Sequence, residues 1–225
     1  MSASELAAVA AARHRAVRAI RVIAITDARR FGDPVARIAE IARACPPGSI
    51  AFQIREPDLD GADLLALAHR AVDAARPFSA PVFVNDRLDV AVLADADGVH
   101  LPEAGLPLPD ALALAPTLAI GCSRHSSFTA LAAALAGAHL VQLGPCFPSP
   151  GKTPIGTAAL ATRLPAHLVA VGGIVDTSTA LAAITAGASA VAVIRAAWSP
   201  AGPATLASLV ATVSSALPAA SPRAR

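Results

Sequence analysis

Apolar stretches of this chain repeatedly end in side chains that can hold or move charge. These ends are Thr26-Asp27, Gln53-Ile54-Arg55-Glu56, Asn85-Asp86-Arg87, His100, Ser123-Arg124-His125-Ser126, Gln142, Gly172-Gly173 and Arg195. Gln53 and Arg55 lie two residues apart, so on a strand they share one face, with Phe52 and Ile54 on the other. An arginine turned into a small core needs a partner or an anionic ligand, because an unpaired buried charge is costly. Pairing of Arg55 with Glu56 or Asp86 is the structural alternative. His125, whose charge changes near neutral pH, is the candidate acid/base group. His100 reads as structural. Cys122 beside His125 raises a thiol nucleophile, but nothing near it in sequence lowers a thiol pKa.

The loop from Gly144 to Thr153 holds Ser149 and Lys152, and Lys152 is the only lysine among 18 basic residues. A compact cation in a Pro/Gly-stiffened loop suits an anionic group. Gly172-Gly173 would offer backbone N–H groups at the start of a helix, as phosphate-binding turns do. Arg195 can add charge at the end of the next strand. Asp86 and Glu103 could share one hard cation.

These residues need elements that aim them together. Eight β-branched segments read as strands: 21–26, 49–55, 82–85, 98–101, 119–123, 139–144, 167–171 and 190–194. Helical periodicity lies between them, as over 62–76, 128–136 and 177–186. A repeated β-α unit implies parallel strands, and eight units imply an α/β fold of one (β/α)8 TIM barrel. An open doubly wound sheet is the alternative, but no G-x-G-x-x-G follows the first strand. In a closed barrel all eight polar ends converge on one rim. The expected organisation is an N-terminal helix over 1–20, the barrel over 21–215 and a loose tail over 216–225.

Composition narrows the function classes. The 225 residues are 55% hydrophobic and 15% charged, too apolar for a disordered chain. Apolar runs stop short of the ~18 residues a membrane span needs. Net charge is +2 with no basic block, and aromatics are 3%, so neither nucleic acid nor a membrane is an expected partner. Cys45, Cys122 and Cys146 form neither a disulfide framework nor a zinc motif, and a cytoplasmic, reducing location is expected. Arg13, Arg15 and Arg18 follow the first apolar stretch instead of preceding it, unlike a secretory signal. Leu6, Val9, Val17 and Ile20 fall near helical spacing and read as one face of the leading helix, with an organelle transit peptide as the alternative. Assembly as a homo-oligomer is left open.

Seven segments appear in order: FQIRE at 52–56, FVNDRLDVAV at 83–92, ADGVHL at 96–101, IGCSRHS at 120–126, QLGPCFPSPGK at 142–152, AVGGI at 170–174 and AGASAVAVI at 186–194. Together they resemble the superfamily of thiamine phosphate synthase and TenI, the thiazole tautomerase. The resemblance implies a small phosphorylated thiazole as ligand, with a pyrimidine diphosphate as second substrate if the chain is a synthase. The synthase pattern has a lysine after R-E, an N-D pair and a second metal aspartate. This chain has Pro57, Asn85-Asp86 and Gly105 at those places. The TenI pattern has Leu-Pro, matched by Leu101-Pro102, and uses a histidine matched by His125. The usual phosphate-binding serine is Arg195. The resulting expectation is an isomerase of TenI type, working by His125-mediated proton transfer without a cofactor. The synthase, with Mg²⁺ on Asp86, is the alternative, and a non-catalytic binder of thiazole or thiamine phosphate the second. In each reading Gln53, Arg55, Asn85, Ser123, Ser149, Lys152, Gly172, Gly173 and Arg195 contact substrate.

Overall fold

Strands buried on both faces read as continuous apolar runs, and this chain has eight. The computed structural model describes residues 2–217. The strands are β1 (Val22–Ile25), β2 (Ile50–Ile54), β3 (Val82–Asn85), β4 (Gly98–Leu101), β5 (Ala119–Arg124), β6 (Leu140–Leu143), β7 (His167–Val171) and β8 (Ala190–Val193). Each pairs in parallel with the next, and β8 returns to β1 through Val22 opposite Val191, closing the barrel.

Ten helices accompany them among the described residues: α1 (Ala3–Ala19), α2 (Ala28–Phe31), α3 (Val35–Ala44), α4 (Gly61–Ala75), α5 (Leu88–Leu93), α6 (Leu108–Leu114), α7 (Ser127–Leu135), α8 (Thr177–Thr185), α9 (Arg195–Trp198) and α10 (Gly202–Ala216). One unit departs from the β-α expectation. After β6 comes the long loop, then a 3-10 turn at Thr157–Ala161 in place of a helix. Ala216 still belongs to α10, and residues 218–225 of the expected tail lie outside the described residues.

Alternation sorts each strand between two cores. Phe52, Ile54, Val82 and Val84 face the helices. Ile23, Ala51, Phe83, Leu140, Val169 and Ala190 fill the barrel axis. The Phe83 ring needs a missing side chain opposite, since a Cβ on Gly98 would stand 2.5 Å from its Cε1.

Helix α1 starts in a capping box, with Glu5 N–H donating to Ser2 Oγ and Ser2 N–H to Glu5 Oε2. Its far end closes the bottom of the barrel. Val17 and the following Ile20 are buried among the axis residues, and His167 Nε2 donates to Ile20 O at 3.0 Å. His14 stacks on His139 at 3.7 Å. Leu6 is not buried with them: it is 42% exposed.

Candidate active site

One layer above the Phe83 ring the barrel axis turns polar. Gln142 Nε2 donates to Gln53 Oε1 at 2.6 Å, and Gln53 Nε2 donates to Asn85 Oδ1 at 3.0 Å. This chain spans β6, β2 and β3, and Gln142 and Gln53 are buried. Gln142 was absent from the expected site residues. Its alternation with Leu140, and its register opposite Ser123, are the signals that place it inward. Beside them His100 Nε2 lies 2.8 Å from Ser123 Oγ. Burial, and secondarily the Arg124 charge, push the His100 pKa down to about 3, so the ring is neutral.

Above this floor opens a cavity of about 750 Å³ at the C-terminal ends of the strands. Gln53, Arg55, Asn85, Asp86, Ser123, His125, Ser149, Lys152, Gly172, Gly173 and Arg195 all line it. So do Arg30, which sequence reasoning missed, and Arg124, read as part of a polar strand end but not as a substrate contact. Arg30 sits on the short helix α2, whose approach to the rim no local pattern announces. Five basic side chains (Arg30, Arg55, Arg124, Lys152, Arg195) thus share the wall with Asp27, Asp86 and Glu103. None of the five forms an ion pair among the described residues, whereas six arginines elsewhere do. The internal pairing considered for Arg55 does not form. Glu56 instead accepts the Ala28 N–H at 2.8 Å and 3.0 Å, and burial raises its pKa.

The Gly-Gly turn is built by close approach. Cys146 N–H donates to Val171 O at 2.9 Å, and Phe147 N–H to Gly172 O at 3.1 Å. Gly173 has φ +72, and a Cβ there would lie 2.6 Å from Phe147 Cβ, so only glycine fits. The turn does not open a helix, as had been expected. Helix α8 begins four residues later, with Asp176 capping it by accepting the Thr179 N–H at 2.8 Å. A carboxylate already occupies that helix N-terminus, so the turn offers its own amides without the helix dipole. The N–H groups of Gly173 and Arg195 donate to no oxygen among the described residues.

His125 Nδ1–H donates to Gly144 O at 2.6 Å, which leaves Nε2 facing Glu103 Oε2 at 3.8 Å. Cys122 is no partner for it. That thiol is buried in the helix-facing core, and burial raises its pKa to about 11. Asp86 adopts φ +66 at the cavity edge. A Cβ on Gly105 would stand 2.8 Å from Asp86 Oδ1, so the position of the missing second aspartate does adjoin Asp86. Among the described residues no three His, Cys, Asp or Glu side chains gather as a metal cage. Mg²⁺ needs none, since one or two carboxylates with substrate phosphates and water suffice. Asp86 and Glu103 on one wall fit that requirement.

The fold and the site define the class: a closed (β/α)8 barrel whose C-terminal rim holds unpaired cations over buried amides. The chain belongs to the thiamine monophosphate synthase family, whose model matches residues 22–197. It is 42% identical over 180 residues to a thiamine-phosphate synthase of Anaeromyxobacter dehalogenans, covering 76% of this chain and 78% of that one. It is 41% identical over 168 residues to the thiamine-phosphate synthase of Methanoculleus marisnigri, covering 70% and 78%. A thiamine phosphate pyrophosphorylase structure from Pyrococcus furiosus superposes with a TM-score of 0.81 at 29% identity, covering 89% of this chain and 98% of that one.

These likenesses overturn the expectation of a TenI-type isomerase in favour of the synthase, a transferase. The misleading signals were Pro57 and Gly105, which stand where the synthase pattern has a lysine and an aspartate, together with Leu101-Pro102. The Gly105 N–H donates to Pro102 O at 3.1 Å, and a Cβ on Gly105 would meet the Pro102 ring at 2.8 Å. That proline shapes a local turn and says nothing of the chemistry. Among the described residues no helix is long and apolar enough to cross a membrane.

Proposed function

We propose that this chain joins a pyrimidine bearing a diphosphate to a thiazole phosphate, releasing diphosphate, with Mg²⁺ as cofactor. The observation that carries the reading is the set of five unpaired cations around one 750 Å³ cavity. A wall whose cations outnumber its acids and pair with none of them is unfavourable unless anions complete the site. A diphosphate and a monophosphate supply them.

The roles divide by position. The amides of Gly173 and Arg195, with the Arg195 guanidinium, hold the thiazole phosphate on the β7–β8 side. Arg55 and Lys152 face the diphosphate. The Gln142–Gln53–Asn85 chain forms the floor on which a heterocycle edge is read by hydrogen bonds. Ser123 Oγ, steadied by His100, and His125 Nε2 orient groups on the β4–β5 side, and Ser149 roots the Lys152 loop. Asp86 and Glu103 would hold Mg²⁺, which when bound neutralises charge on the departing diphosphate. As the bond to the diphosphate breaks, positive charge develops on the pyrimidine-bearing carbon. The cavity must then keep water from that centre until the thiazole captures it. A cytoplasmic setting accords with three free, buried cysteines.

The test is diphosphate release from the two substrates. Release that depends on both substrates and stops with EDTA supports the proposal. Binding of the thiazole phosphate without turnover at any Mg²⁺ concentration defeats it and leaves a carrier.

A further inference from the structure

Glu56 is a buried acid at the end of β2, 8% exposed, and the roles assigned above leave it out. It follows Arg55 directly but gives its carboxylate to the backbone of α2. Both oxygens accept the Ala28 N–H, at 3.0 Å and 2.8 Å. Ala28 is the first residue of α2, where a helix leaves N–H groups without partners of its own. Asp27, at the N-cap, makes no side-chain bond there. The cap therefore comes from another strand. Thr26 adds a second link, since its Oγ1 accepts the Arg55 N–H at 2.9 Å and its hydroxyl bonds the Glu56 carboxyl. The end of β1, the start of α2 and the end of β2 are joined through one buried carboxyl group.

Helix α2 depends on that joint. It has four residues and none is buried, so no apolar face anchors it. A single turn does not hold itself, because it fixes several residues for one hydrogen bond. The helix carries two arginines, and they part. Arg29 turns outward to Asp58 at 3.5 Å, with its side chain 84% exposed. Arg30 lines the cavity, as Arg55 does. Pro57 lines it too and offers neither charge nor an N–H. Asp27 also lines the cavity, so two guanidiniums stand against one carboxylate where the β1 and β2 loops meet.

One guanidinium fork matches two oxygens of a single phosphate. Two forks from neighbouring loops match a diphosphate, whose oxygens sit on two phosphorus atoms. A long side chain on an unanchored turn would lose that match to its own rotational freedom.

We propose that Glu56 is a positioning residue: by capping α2 from the end of β2 it holds Arg30 on the same wall as Arg55, and the two guanidiniums clamp one diphosphate. The clamp rests on the substrates proposed above and adds Arg30 and Glu56, which have no role in that reading.

The test is calorimetric titration of the full chain with inorganic diphosphate and Mg²⁺, which reads the clamp apart from turnover, alongside KM for each substrate. Arg30→Ala and Glu56→Ala should each weaken diphosphate binding about 10-fold or more, the scale of a lost charged hydrogen bond. Each should raise KM for the pyrimidine diphosphate and leave KM for the thiazole phosphate unmoved. The Arg30→Ala, Glu56→Ala double variant should bind no more weakly than Arg30→Ala alone, because Glu56 acts through Arg30. Glu56→Gln keeps an acceptor for the Ala28 N–H and should restore binding. Arg29→Ala removes the same charge from the same helix and should change nothing.

A wild-type chain that does not bind diphosphate overturns the clamp, and so does an Arg30→Ala chain that binds it normally. A double variant whose losses multiply, a Glu56→Gln chain as weak as Glu56→Ala, or an equal loss in Arg29→Ala also overturns it. If Glu56→Ala does not fold, Ala28→Pro removes the same bond from its other end, since proline fits the first helical position. Weakened diphosphate binding in Ala28→Pro supports the role of Glu56, and unchanged binding overturns it. Should the wild type bind diphosphate without turnover, the reaction fails and the same titrations still decide the clamp. Should it turn over while Arg30→Ala binds diphosphate normally, only the clamp fails.

Discussion

Three histidines are folded into this barrel without charge, and acid acts on them first. Burial is the leading cause in each case, lowering His100 to about 3, His139 to about 4 and His167 to about 4. His139 Nδ1 also accepts the Ile120 N–H at 2.9 Å, a bond that a proton on that nitrogen would displace. In the unfolded chain each titrates near the ordinary value of about 6.5. The unfolded state therefore binds more protons at any pH between the native and unfolded values. Stability is unaffected above pH ~6.5, falls as pH drops through it, and keeps falling until the native groups protonate near 3–4. Between pH 7 and 5 each fully buried histidine costs about 2 kcal/mol. His139 is only half-buried and its share is discounted for solvent screening. The three together cost about 4–5 kcal/mol, slightly offset by Glu56 and Asp97, whose pKa values burial raises. That is a large part of the roughly 5–15 kcal/mol that holds a domain folded. Urea unfolding at pH 7, 6 and 5 measures it directly. His139→Asn keeps an acceptor for the Ile120 N–H but cannot take a proton, and should shrink the loss by about 1–2 kcal/mol. A wild-type change below about 1 kcal/mol over that range, or an unchanged slope in His139→Asn, would refute the reasoning.

Other outcomes follow from the same geometry. Lys152→Ala should weaken thiazole phosphate or diphosphate affinity by about 1–3 kcal/mol, the scale of a lost charged hydrogen bond, read by calorimetric titration. Gln53→Leu strands the Gln142 amide and removes the donor to Asn85, so thermal unfolding should show a loss of about 2–3 kcal/mol. Gly173→Ala drives a Cβ into Phe147 at φ +72 and should both lower the melting temperature and raise KM for the thiazole phosphate. Gly105→Asp alone should not tighten Mg²⁺ dependence, because its Cβ meets Asp86 and the Pro102 ring at 2.8 Å. Adding Pro102→Gly makes room, and the Mg²⁺ concentration for half-maximal rate should then fall.

Much of the site could be read along the chain because strand geometry is local. Gln53 and Arg55 share a face by period alone, and each strand end follows from where the β-branched run stops. What escaped depends on how separate elements meet. Arg30 reaches the rim from α2, and only closure of the barrel brings it to the wall that the strand ends share. The Gly-Gly turn lacks the helix dipole because Asp176, three residues later, caps α8 itself. Pro102 misled because a proline's effect on its own turn and on chemistry look alike in one dimension.

The sequence by itself determined the alternation of strands and helices, the polar strand ends and the family motifs, since each depends on residues within a few positions of one another. Tertiary structure alone decided that five cations find no acid partner among the described residues, that Gln142 joins Gln53 and Asn85 across the barrel, and that α7 turns its large side chains outward. Those are facts about distances between residues far apart in the chain, and only closing β8 onto β1 sets them.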